Sequence, residues 1–162
     1  MSAGKKDALW VADKTVAQLQ TSLSAKLTTL QTEYNDGITL TAIPNGSMFV
    51  AERKQLPAPP FLIVMPDRTD AVPFSGEARY DIEYHYLTIA VVDQGNIQED
   101  RLKRRCARYV RAVEEVLIDN RTLNGSVEDI IVVSKEYAPM MSDGGSNLIQ
   151  EGQVSFRAQT ML

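Results

Sequence analysis

The chain has 162 residues, 44% of them hydrophobic and 23% charged, the composition of one ordinary globular domain rather than of a disordered or collagen-like chain. Lys and Arg number 17 against 21 Asp and Glu, a formal net charge of −4, which argues against a broadly basic nucleic-acid footprint. A single cysteine, Cys106, rules out an intrachain disulfide, no apolar run approaches the ~20 residues of a bilayer span, and no apolar stretch follows Lys5-Lys6 as an export signal requires, so the expectation is one soluble domain over residues 1–162 with no membrane partner.

From Ala8 to Tyr34, apolar residues recur every three or four positions (Leu9, Ala12, Val16, Leu19, Leu23, Leu27, Leu30, Tyr34), which predicts a long amphipathic helix ended by Asn35-Asp36-Gly37. Trp10 beside Leu9 reads either as core or as an exposed anchor. Ile38–Ile43 alternates, and Met48–Ala51 follows the Pro44-Asn45-Gly46 turn, so two short strands are expected there. Leu56-Pro57-Ala58-Pro59-Pro60 then stiffens the chain and delivers Phe61–Met65, a short apolar run suited to a central strand, with Pro66 expected to end it.

Arg79–Val92 is the longest strand candidate. Its polar first half is expected to project as one arm of a β-hairpin whose other arm lies between Met65 and Gly76. A second amphipathic helix, with Leu102, Cys106, Tyr109, Val110, Val113 and Leu117 on one face, follows an Asn96…Glu99 start signal and runs to Asp119. Strands are predicted at Val127–Tyr137 and Leu148–Thr160, with Pro139–Asn147 as the loop between them. The order gives an α+β fold: a mostly antiparallel β-sheet with a long N-terminal helix and a second amphipathic helix packed on one face, plus a protruding β-hairpin.

Signals for chemistry are few. Any triad, histidine pair or Cys-His dyad must pass through the one histidine, His85. Asp81, Glu83 and His85 share one side of a strand, which raises the alternative of a small metal-dependent enzyme, but a repeat of ~6.5 Å between same-face residues makes direct chelation awkward. Cys106 belongs to the apolar helix face and reads as a small hydrophobe. Asp143-Gly144-Gly145-Ser146 lacks the Lys-Ser/Thr of a phosphate loop.

Charge is segregated. Residues 61–97 hold two cations against six anions, whereas residues 101–111 alone hold six cations, with Arg101, Arg104, Arg105, Arg108 and Arg111 placed on the face opposite the apolar stripe. A solvated helix face accounts for such a run. Opposite-sign patches on one molecule also suit head-to-tail association of identical copies.

The long first helix, the Leu56–Val64 entry into a central strand, the strand Tyr84–Val92, the acidic-to-basic helix Gln98–Asp119 and the closing strand through Val154-Ser155-Phe156-Arg157-Ala158 together resemble the tail-terminator, or tail-completion, proteins of long-tailed bacteriophages. The resemblance implies a structural virion subunit, with no enzyme activity and no cofactor. Copies would form a homo-hexameric ring at the head-proximal end of the tail, after a passage through the host cytoplasm during assembly. The ring would halt growth of the tail tube protein and join a head-tail connector or neck protein, without sequence-specific nucleic acid. In that reading Arg104, Arg108, Arg111, Asp81 and Glu83 are expected at subunit interfaces, and Arg68, Phe74, Arg79, Met140 and Met141 at tube or head contacts. A connector or neck subunit is the alternative within the same class.

Overall fold

A computed structural model describes residues 6–51, 54–73 and 81–161. In chain order it contains α1 (Ala8–Tyr34), β1 (Met48–Val50), β2 (Phe61–Pro73), β3 (Asp81–Gly95), α2 (Glu99–Asp119), β4 (Asp129–Tyr137), β5 (Met141–Ser142) and β6 (Leu148–Met161). The sheet order is β1-β2-β3-β6-β4, with β5 paired to β6, and every pairing except β1–β2 is antiparallel. The expected α+β class is the observed one.

Local chemistry explains the helix ends. Asp7 caps α1 by accepting from the Trp10 N–H at 2.8 Å, and Asn35 closes it in the left-handed region at φ 42°. Of the predicted stripe, Ala12, Val16, Leu19, Leu23, Leu27 and Leu30 are buried, but Leu9 and Tyr34 at its ends are exposed and Val11 is buried in place of Leu9; the Thr15 hydroxyl among them donates to the Val11 carbonyl, so it is not stranded. Trp10 packs half-buried against the core, between the ammonium groups of Lys6 and Lys14. At α2 the expected Asn96 cap is not used. Gln98 occupies the cap position without a side-chain hydrogen bond, and Glu99 and Asp100 in the first turn supply the favourable charge instead.

Leu87, Ile89 and Val91 of β3 and Val154, Phe156 and Ala158 of β6 meet both helices in one core. The opposite sheet face carries a smaller cluster of Phe49, Phe61 and Ile63. Gly152 lets α2 approach β6, because a Cβ there would sit 2.4 Å from a Val110 methyl.

Three expectations about strands and loops also fail for identifiable reasons. Residues 38–43 bury Ile38, Leu40 and Ile43 but form no strand, because side chains satisfy this backbone: Leu40 N–H donates to Gln31 Oε1, and the Thr41 carbonyl accepts from the Tyr109 hydroxyl. Pro66 does not end β2. Pairing with β3 slips between Pro66 and Arg68, and β1 pairs only Leu62–Val64, so the missing N–H falls at a bulge on an open edge. Within the expected 139–147 loop, Met141 and Ser142 pair with Ile149 and Leu148 as β5.

β2 and β3 do form the hairpin, and β6 accompanies β3 along its whole length, from Ile82↔Met161 to Gly95↔Leu148. The polar half of β3 is therefore the centre of a three-stranded ribbon.

Candidate functional site

The cations of α2 divide into two groups. Arg105 donates from Nε to Asp93 Oδ2 at 2.7 Å and from Nη2 to Asp93 Oδ1 at 3.0 Å, with a further bond to the Gln94 carbonyl at 2.9 Å. Asp93 is 1% exposed, so this bidentate fork compensates a carboxylate inside the fold. Arg108 is also buried: it grips the Asp36 carboxylate through both terminal nitrogens and stacks on the Tyr34 ring at 4.0 Å. The guanidinium hydrogen bonds hold the Asp36 carboxyl down at about 2. Placing Arg105 and Arg108 on a solvated face is thus corrected, and Arg108 is occupied within its own chain rather than offered as a free cation. Their acidic partners come from the α1 exit and from the end of β3.

Arg104 and Arg111 are exposed; Arg111 makes an i,i+4 pair with Glu115 at 3.3 Å and also interacts with the Tyr34 side chain of α1. Lys103 pairs with Glu99 at 2.9 Å, and Arg101 reaches the Gly37 carbonyl at 3.3 Å.

On the acidic side, Glu83 lies half-buried with Oε2 3.5 Å from His85 Nε2. Asp81 begins β3, and its side chain lies outside the described residues, as do Phe74 and Arg79. His85 is fully buried, which corrects the expectation of an exposed polar arm at this position. Its Nδ1 and Nε2 stand 2.9 Å from the Thr69 and Thr160 hydroxyls, so one nitrogen donates and the other accepts. Burial lowers its pKa from the ordinary value, opposed by Glu83, the Lys6 backbone and Asp7 at the start of α1. Both ring nitrogens are committed, and among the described residues no group of three or more His, Cys, Asp or Glu side chains is arranged to hold a metal ion. Cys106 is buried on the apolar stripe, and burial pushes its thiol up to about 12.

Arg68 lies on the helix-free face of β2, stacked over the Tyr86 ring at 4.2 Å, and Arg157 stacks in the same way over Tyr84 at 4.4 Å. Met141 is 64% exposed, whereas Met140 is half-buried and lines a pocket of about 480 Å³ between α2 and the end of β4. Gln150, in the wall of that pocket, had no signal in the sequence reading.

The sheet is open on both sides. β4 ends the strand order, so its nine-residue outer edge has no strand partner among the described residues, and Ile131 and Val133 beside it are exposed. At the other side, β2 beyond Val64 has no strand outside it among the described residues. Because β2, β3, β6 and β4 alternate in direction, the β4 edge of one copy and the β2 edge of a second, similarly oriented copy run antiparallel.

No family model matches the chain, and no curated protein matches it. Among solved structures, it is similar to a chain from the virion of a native gene transfer agent particle, at 13% identity and a TM-score of 0.37, over 89% of this chain and 95% of that one. A likeness of that strength assigns neither family nor role.

Proposed function

We propose that this chain is a structural virion subunit that assembles head to tail with its own copies into a ring at the end of a phage tail tube, stops tube growth there and offers a surface for head joining. The observation that carries the self-association is the sheet with two open, directionally complementary edges. Each copy uses a different edge on each neighbour, which is the heterologous contact that closes into rings. The placement at the tail rests on the tail-terminator resemblance of element order and texture.

In this reading the function is geometric and the protein is not an enzyme. One ring face must reproduce enough of the tube's stacking surface to be accepted, and the other must not, so that addition ceases after one layer. Arg104 and Arg111 remain the interface cations, Arg68, Met140 and Met141 the described candidates for tube or head contact, and the partners are the tube protein and a connector or neck protein. Electron microscopy of particles made without this chain tests the role. Tails of uncontrolled length support termination; finished tails of normal length that fail to attach to heads assign the chain to the connector or neck instead.

A further inference from the structure

Leu9 belongs to the predicted apolar stripe of α1, yet it is 56% exposed. Leu9 and Gln20 are eleven residues apart, close to three full turns, and so share one side of the helix. Gln20 Nε2 donates to the Asn45 carbonyl at 3.1 Å, just ahead of β1, which places that side over the β1–β2 border of the sheet. The other border carries a hollow. Leu117 and Ile118 of α2, Arg121 just after it, and Ile130, Ile131 and Val132 of β4 line a notch of about 260 Å³, with Ile118 52% exposed. Asp129 holds the Arg121 guanidinium at 2.8 Å, and the remaining lining side chains are all apolar.

Leucine and notch stand at the same height, on the face of the sheet that both helices cover. The register joins Thr69 to His85, His85 to Ala158 and Ala158 to Ile130, one row running from border to border. At one end of that row is the notch. Above its middle the Lys6 backbone meets the His85 ring, and Leu9 lies in the first helical turn after it. β3 and β6 lie between β2 and β4, so Leu9 and the notch of one molecule face opposite ways.

Resting on the head-to-tail reading above, we infer that the notch of one copy receives Leu9 of the next, while Asp129–Ser134 of β4 lies along Met65–Asp70 of the neighbour's β2. Those two stretches occupy the same rows: Asp70, Tyr84, Gln159 and Asp129 share one, and Met65, Thr88, Ser155 and Ser134 share another. In similarly oriented copies, the two edges, the leucine and the notch therefore meet at one level. From the row of Val64 and Lys135 onward β1 covers β2, and the bulge between Val132 and Ser134 falls just where β4 must turn aside from the next copy's β1. The occupant is a second copy because the notch continues the open edge of β4, and this chain carries the fitting side chain at the fitting height on its other border. Each copy gives one leucine and receives one.

The test uses the full-length chain. Leu9→Cys and Ile118→Cys proteins are prepared separately, mixed and mildly oxidised; the buried Cys106 contributes little background. A covalent dimer in the mixture, well above that from either variant alone, is expected, and the double variant is expected to give a ladder of longer covalent oligomers. Leu9 is exposed in the single chain, so Leu9→Ala keeps the fold and is expected to weaken self-association about tenfold by sedimentation or light scattering. Association without the crosslink, and unaltered by Leu9→Ala, overturns the assignment and leaves the notch to a different partner and the ring intact. Leu9→Cys joining to itself more than to Ile118→Cys marks a twofold contact and overturns both readings. A protein that neither associates nor crosslinks at any concentration also overturns both, and a crosslink formed within single chains of the double variant overturns the geometry.

Discussion

The two sides of α2 use the same residue type for opposite ends. On the inner side, Arg105 and Arg108 reach past the apolar stripe to Asp93 and Asp36 and fasten the helix to the end of β3 and to the α1 exit. On the outer side, Arg104 and Arg111 stand in solvent, with Arg111 beside Glu115 of its own helix and Tyr34 of α1 and paired to no carboxylate of another element among the described residues. A guanidinium is committed to the fold where a carboxylate of another element lies within reach of a buried stem, and stays in solvent where none does. Long side chains therefore need to be placed by their partners as well as by their angle around the helix.

That contrast is open to mutation. Arg105→Ala leaves the Asp93 carboxylate buried without compensation and is expected to cost about 3–5 kcal/mol of unfolding free energy, the largest effect here, read by urea denaturation. Gly152→Ala drives a methyl into Val110 and lifts α2 off β6; a loss of roughly 1–3 kcal/mol in the same experiment is expected, with the inner contacts weakened together.

Acid probes the Arg108 pair, alongside Asp143, whose carboxyl the Gly145 N–H also holds down. Because the Asp36 carboxyl is lowered from 3.8 to about 2 in the folded chain, its contribution is complete above the unfolded value and is lost as the pH falls from about 4 toward 2. Asp36→Asn should remove that part of the acid dependence, and an unchanged acid limb would show that the pair contributes nothing. On the outer side, Arg111→Ala and Arg104→Ala are expected to change stability by no more than about 0.5 kcal/mol. If they belong to subunit contacts, their effect appears in the salt dependence of association instead, measured by sedimentation at low and high ionic strength.

Much of the architecture was legible because one period dominated each long element. The three-to-four spacing from Ala12 to Leu30 and the stripe Leu102–Leu117 allow only a helix, and the alternation through Ile89 and Val91 allows only a strand facing a core on one side. Legibility ended where the deciding partner was remote. Asp36 lies 72 residues from Arg108, and no local pattern joins them. Residues 38–43 alternate as a strand does, yet Gln31 and Tyr109 satisfy that backbone in place of a neighbouring strand. Gly152 did carry a signal, a glycine inside an otherwise regular strand, which marks a place where something must come close. Gln150 carried none, since a polar residue entering a strand gives no hint that one of its atoms will be buried without a partner.

Pro66 and the slip beside it also bear on behaviour at high concentration. A long exposed border of hydrogen-bonding groups invites indiscriminate stacking of sheets, and a residue without an N–H, followed by a break in register, divides that border into short stretches. Edge-to-edge contact through this border alone would thus be weak, and only a neighbour offering further contacts would hold.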